Sequence, residues 1–224
     1  DLTSYQKQIR AAATKGSTIS FVSKGQVLLG WIEVTDRLRS TTKGALLHAK
    51  RNQLDVIMLT GDRIEAAEQI AKECGITEVI ANVRPDEKAA YITSLKEQGK
   101  HVAMVGDGIN DAAALAVADV GIAMGAGSDI ALDSADIVLL RNDLMDAMSA
   151  LELGRVTVKK IRTNLWWAFI YNIIGIPLAM GLLLPWTGWL LPPASAAAAL
   201  SLSSVSVVMN SLTLKWWRPK QLEA

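Results

Sequence analysis

The chain has 224 residues, 50% of them hydrophobic, and a formal net charge of +1 from 23 basic and 22 acidic side chains. So even a balance offers no basic surface for a phosphate backbone, and nucleic acid is excluded as an expected partner. The single cysteine, Cys74, allows neither an internal disulfide nor a paired-cysteine metal site and fits a reducing compartment.

These averages hide a division at Arg162. The 52 residues from Thr163 to Leu214 contain no Asp, Glu, Lys, Arg or His, whereas residues 1 to 162 hold 21 acidic and 20 basic side chains. The first stretch is long enough for one compact core, and the second reads as a hydrophobic tail.

In chain order, the first 35 residues predict a helix ending at Gly16, then strands TISFV and VLLGWIEV separated by the turn SKGQ. After Asp36 the pattern becomes a helix over Ser40 to Asn52, the strand DVIML, a helix from Ile64 to Cys74 and the strand EVIA. It continues with a helix from Pro85 to Gln98, the strand HVAMV, a short helix after Asn110, and the strands DVGIA and DIVLL. Short apolar strands alternating with amphipathic helices predict βαβ units on a mostly parallel sheet. Cys74, His48 and His101 read as ordinary structural residues, and Glu65 and Glu68 as solvated helix residues.

The tail holds two apolar stretches, Trp166 to Leu184 and Ala194 to Leu214, near the ~20 residues a helix needs to cross the hydrocarbon of a bilayer. Lys159, Lys160 and Arg162 precede the first; Lys215, Arg218 and Lys220 follow the second; the connection is uncharged. Two membrane-spanning helices are therefore expected, with both ends cytoplasmic and tryptophans 166, 167, 186, 189, 216 and 217 as interfacial anchors. Pro177 lacks an N–H and should free the carbonyl near Ile173. Ser203, Ser206 and Asn210 fall on one face of the last helix, a stripe that suits either helix-to-helix contact or a transport path.

Ligands of parallel sheets sit beyond the carboxyl ends of the strands, and the polar motifs fall there. Thr60-Gly61-Asp62 follows DVIML, and Asp107-Gly108-Ile109-Asn110-Asp111 follows HVAMV. Lys88 lies between them, one turn into a helix that starts with Pro85. Asp107 and Asp111 make an oxygen-rich pocket suited to magnesium, denser in polar groups than a turn and helix cap require. With the Thr60 hydroxyl and the Lys88 ammonium, such a pocket would neutralise a transferring phosphoryl group.

TGD at 60–62, RPDEK at 84–88, MVGDGINDAAAL at 104–115 and ADVGIAMG at 118–125 resemble the P-type ATPase branch of the haloacid dehalogenase superfamily. The resemblance implies an α/β fold, a partial Rossmann-like phosphorylation domain joined to two transmembrane α-helices. It implies residues 1–35 as the closing segment of a nucleotide-binding domain, 36–150 as the phosphorylation domain, 151–165 as a stalk and 166–184 as the penultimate span. An outside turn at 185–193, a last span at 194–214 and a cytoplasmic tail at 215–224 complete the division. By the same resemblance Thr60 binds phosphoryl oxygens, Asp62 organises its loop, Lys88 contacts the aspartyl phosphate and Asp107 ligates magnesium, supported by Asn110 and Asp111. Asp36 and Arg39 fall at the family's DxxR hinge and look toward the ATP nucleotide. Arg63 in place of Asn after TGD, and Ala113 in place of Pro, are departures expected to tune loop rigidity or nucleotide contact.

Within the family the tail resembles the heavy-metal class, closest to the copper and silver exporters, through Tyr171-Asn172 and Ser203-Ser204. These four residues are the implied contacts of a transported Cu+ or Ag+, although Leu200 stands where that branch carries methionine and offers no soft sulfur. The DKTGT nucleophile, the actuator region with its TGE loop and the earlier spans are expected from the remaining portion of the same ATPase. The other implied partners are the lipid bilayer and a copper chaperone. Without the nucleophile the chain by itself is expected to be inactive. The rival readings are a membrane-anchored phosphatase of the same superfamily, which needs a DxD motif before residue 60 that the chain lacks, and a non-catalytic membrane assembly module.

Overall fold

A computed structural model describes residues 5–6, 18–25, 27–34, 38–107, 110–125, 133–188 and 192–219. They fall into two compact units, one up to Met148 and one from Ser149 onward. The helix expected to end at Gly16 lies outside the described residues but for Tyr5 and Gln6.

The first unit opens with an antiparallel hairpin of β1 (Thr18–Lys24) and β2 (Val27–Val34). Gly25, at φ 62°, supplies the left-handed residue of the turn. Two strands alone bury little: Val27, Leu29 and Ile32 all remain more than half exposed.

The α/β part follows as α1 (Ser40–Arg51), β3 (Ile57–Leu59), α2 (Ile64–Cys74), β4 (Glu78–Ile80), α3 (Pro85–Glu97), β5 (Ala103–Gly106), α4 (Ala112–Val117), β6 (Val120–Met124) and β7 (Ile137–Leu139). Its strands pair in two parallel sheets, β3 with β4 and β5–β6–β7 in order. Apolar residues of α3, β5, α4 and β6 make the core, with Ile92, Met104, Ala114, Leu115 and Ala123 buried together. Leu59 at the end of β3 and Val138 of β7 pack against them, so the core reaches both sheets.

Two polar ties close the amino-terminal edge of the larger sheet. Asp119 accepts the Val102 N–H at 2.8 Å and pairs with Lys96 at 3.2 Å, while Lys96 also donates to the Val117 carbonyl at 2.7 Å. The Val102 N–H first, and the Lys96 ammonium with it, hold the Asp119 carboxyl below its usual range. In the next strand the Gly121 N–H donates to Asp136 at 2.8 Å.

The helix α5 (Leu144–Ala179) begins in the first unit, where Asp143 accepts the Met145 N–H at 2.9 Å and Arg141 grips Asp146 with two bonds of 2.8 and 2.7 Å. The second unit takes the rest of α5, the single turn α6 (Leu184–Thr187), α7 (Pro193–Leu212) and a 3-10 turn (Thr213–Trp216).

Here the structure corrects the sequence reading. Among the described residues no helix is long and apolar enough to cross a membrane, so the expectation of two transmembrane helices is overturned. The apolar stretch from Trp166 to Leu184 is not one helix: α5 stops at Ala179 and the chain turns at residues 180–183, with Gly181 at φ 88°. The second stretch does coil, but serines 195, 201, 203, 204, 206 and 211 and Asn210 dilute it along its whole length. An uninterrupted charge-free sequence is thus a weaker condition than an uninterrupted apolar helix.

Two glycine replacements should separate close packing from helix propensity. A Cβ at Gly121 would stand 2.6 Å from the Leu115 carbonyl oxygen, whereas one at Gly154, inside α5, meets nothing within 4 Å. We expect Gly121→Ala to lose about 1–3 kcal/mol of stability. Gly154→Ala should gain roughly 0.5–1 kcal/mol, both read from urea unfolding curves.

Candidate functional site

The site is built from the loops that leave the carboxyl ends of β3 and β5 and from the first turn of α3. After β3, Thr60 and Asp62 close a small turn: the Thr60 hydroxyl donates to an Asp62 carboxylate oxygen at 2.8 Å, and the Asp62 N–H returns a bond to that hydroxyl at 3.1 Å. A second loop straps this one down, with the Asn82 N–H on the Asp62 carbonyl at 2.8 Å and the Val83 N–H on the Thr60 carbonyl at 3.1 Å. Asn82 reaches that position at φ 55°, and Gly61 admits the strap because even a Cβ there would lie 3.3 Å from the Val83 carbonyl oxygen.

Across from this loop, α3 begins at Pro85, and the Arg84 N–H is satisfied by the Glu87 carboxylate at 2.9 Å. Lys88 therefore leaves the first helical turn at a fixed angle, and its Nζ lies 2.6 Å from Oδ1 of Asp111. Both side chains are nearly buried, at 12% and 13% exposure, so this pair is screened far less than the surface pairs Arg63–Glu65 and Lys43–Glu73.

Asp111 occupies the cap position of α4, yet its side chain makes no capping bond. Its carboxylate points to Lys88 instead, which a plain helix cap would not do. The same carboxylate rests on Gly106, where an added Cβ would stand 2.8 Å from Asp111 Cβ and closer still to the carboxylate. Asp107 follows directly and is exposed at the end of β5; Asn110 is exposed in the turn before Asp111.

The donors present are hard oxygens, those of Asp107 and Asp111, a set that suits magnesium and not a soft ion. Among the described residues no group of three or more His, Cys, Asp or Glu gathers for an all-protein metal cage. Magnesium is commonly held by one or two carboxylates with phosphate and water completing its shell, so the two residues fit it. Lys88 is already paired to Asp111, and Asp107 stands exposed at the end of β5, four residues before it.

Other expected residues lie elsewhere. Arg39 occupies the position before α1, makes no side-chain capping bond and is exposed, and Asp36 lies outside the described residues, as does Gly108. Arg63 occupies the position before α2 without a side-chain capping bond and stands 3.9 Å from Glu65; Ala113 is exposed in the first turn of α4. In the second unit Tyr171 and Ser203 are half-buried, while Asn172 and Ser204 are exposed, the Asn172 amide donating to the Ala168 carbonyl at 3.0 Å. Sequence reasoning missed Gly106 as the floor under Asp111 and Asn82–Val83 as the strap on Thr60. An asparagine before a strand-to-helix junction was the one available signal for the strap.

The family model described as a haloacid dehalogenase-like hydrolase matches residues 2–119. The chain is 48% identical over 205 residues to the probable copper-transporting ATPase PacS of Synechococcus elongatus, covering 92% of the chain and 27% of that relative. It is 50% identical over 201 residues to the silver exporting P-type ATPase of Salmonella typhimurium, covering 90% of the chain and 24% of that relative. Among solved structures, a zinc-transporting PIB-type ATPase in its E2.Pi state superposes with a TM-score of 0.76 at 33% identity, over 96% of this chain and 34% of that one. The chain thus spans about a quarter of the length of the curated relatives it matches.

Two substitutions should move magnesium affinity in opposite directions. Gly106→Ala displaces the Asp111 carboxylate and should weaken binding by about 10–100-fold, as loss of a supporting contact to a ligand does. Lys88→Met removes a competing cation and should tighten it by roughly tenfold. Calorimetric titration with magnesium reads both.

Proposed function

The chain belongs to the haloacid dehalogenase-like hydrolases, and from that membership we propose that it is part of an ATP-driven heavy-metal pump working through an aspartyl-phosphate cycle. The observation that carries this reading is the divided sheet. Among the described residues β3 pairs only with β4 and β5 only with β6, so each keeps one free edge, and the loops with Thr60–Asp62 and Asp107 leave these two strands. A parallel strand supplied by the remaining length of the protein, bearing the DKTGT aspartate at its carboxyl end, would complete the sheet and deliver the nucleophile between Thr60, Lys88 and Asp107.

In that arrangement the aspartate oxygen attacks the γ-phosphorus of ATP, the bond to ADP breaks, and the acyl phosphate stores the transfer potential for transport. Lys88 and the Thr60 hydroxyl bind the phosphoryl oxygens, and Asp62 orients Thr60 through the two bonds they share. Lys88 then exchanges Asp111 for the incoming phosphate, which frees the Asp111 carboxylate. Asp107 and Asp111 would hold magnesium, which would neutralise phosphate charge, and Asn110 would support the phosphate and the metal. We assign residues 1–35 to the end of the nucleotide-binding domain, whose exposed hairpin suits further strands, and 36–150 to the phosphorylation domain, with Asp36 and Arg39 toward the nucleotide.

For cargo we propose Cu(I) or Ag(I), with Tyr171, Asn172, Ser203 and Ser204 on the ion's route. The copper and silver names of the relatives support this over zinc. The absence of any Asp, Glu or His from residues 163–214 supports it too, since Zn(II) favours such ligands. The reading puts the whole pump in a membrane because transport needs one, and assigns no crossing to the helices of this chain.

In the complete pump, Asp107→Asn should abolish phosphoenzyme formation from radiolabelled ATP while leaving unfolding curves unchanged; normal magnesium-dependent phosphoenzyme would overturn the assignment. ATP turnover should rise with Cu(I) or Ag(I) and less with Zn(II). Leu200→Met should tighten monovalent-ion binding modestly without altering selectivity, because it restores one soft ligand. Stimulation by Zn(II) alone would overturn the choice of cargo.

A further inference from the structure

The second unit contains a polar chain that none of the preceding chemistry uses. Lys160 donates to the Asn210 side-chain carbonyl at 2.9 Å, the Asn210 amide donates to Asn164 at 2.6 Å, and the Asn164 amide donates to the Ser211 hydroxyl at 2.8 Å. Ser211 in turn donates to its own helix at the Val207 carbonyl, 2.8 Å away. Every donor points the same way, so each amide is polarised by the one before it, and the Lys160 charge sets the direction.

The bonds join points on α5 and α7 nearly equidistant from the connecting residues 180–192. A parallel pairing would require that connection to span roughly 48 Å at 1.5 Å per helical residue. The steps from Ala179 to Pro193 reach about 50 Å only if fully extended, and the turn at residues 180–183 with the helical turn α6 brings them well below the span required, so the helices run antiparallel. Seven positions, two helical turns, bring a residue back to the same face. Counted toward the connection, seven positions lead from Asn164 to Tyr171 on α5, and from Asn210 to Ser203 on α7. All four are half-buried, whereas Asn172 and Ser204, one step round each helix, are exposed.

We infer that Lys160, Asn164, Asn210 and Ser211 form a register clasp that holds α5 and α7 so that Tyr171 and Ser203 stand level, two turns away. An apolar seam between helices tolerates a slip of one turn, since one methylene packs much like the next; a half-buried amide bonded across the seam does not, because the slip takes its partners away. Here the polar groups specify position, and the four are positioning residues. The ionic role of Tyr171 and Ser203 rests on the function proposed above; the register does not.

The test uses the complete pump with Cys74 replaced by alanine and a short bifunctional thiol reagent. The pair Tyr171→Cys with Ser203→Cys should cross-link about tenfold faster than the slipped pair Tyr171→Cys with Val207→Cys, the discrimination expected of a charge-assisted hydrogen-bonded network. Adding Lys160→Met, Asn164→Leu and Asn210→Leu together should keep the helices packed and bring the ratio to about twofold or less. Asn164→Asp, which still accepts from Asn210, should preserve it. Should the triple variant fail to fold, Asn210→Ala carries the same expectation, a fall of at least about fivefold. Equal rates for the two pairs in the parent, or an unchanged ratio in the apolar variants, would overturn the clasp. Because cross-linking reads register alone, a wrong cargo leaves its outcome intact, and only ion stimulation would then fail.

Discussion

The ion pair between Lys88 and Asp111 is the interaction on which the candidate site depends. It joins the first turn of α3 to the cap of α4 across 23 residues of sequence, at 2.6 Å and with little exposure of either partner. A buried charge without a partner would cost several kcal/mol, so each residue keeps the other in place. The pair also keeps the Asp111 carboxylate off the helix end it would otherwise cap. Gly106 makes the arrangement sterically feasible, because a side chain there would occupy the space the carboxylate fills.

Around this pair the site divides into rigid and replaceable contacts. The Thr60 loop is held by backbone bonds from Asn82 and Val83, which a ligand need not disturb. The Thr60 hydroxyl and the Lys88 ammonium, by contrast, are engaged with carboxylates, contacts that an anionic ligand can replace at small net cost. A phosphoryl group entering here would exchange partners on a preformed frame, which limits the reorganisation its binding requires.

In the second unit polar contacts serve a different end. Asn210 belongs to a network that reaches α5 through Lys160 and Asn164, so of the two roles open to the stripe on α7, helix-to-helix contact describes this residue. Ser206 turns back on its own helix at the Leu202 carbonyl, 2.7 Å away. Such internal bonds satisfy hydroxyls locally and contribute little to holding helices together.

By itself the sequence determined the alternation of strands and helices in the first unit, because apolar period, proline at a helix start and glycine after a helix end are local signals. The helix expected from Ile64 to Cys74 has those very ends, with Gly75 at φ 76° behind it. The placement of TGD and of Asp107 after strands was legible for the same reason, and so was the position of Lys88 in a first helical turn. Only the tertiary structure decided that Lys88 meets Asp111, that Gly106 must lack a side chain, and that the parallel strands form two sheets, since each depends on residues that approach through space. It also decided against the two membrane spans. Charge-free sequence is a property of composition, but where a helix stops is set by turn geometry, here at residues 180–183, and the helix that does continue is diluted by its own serines.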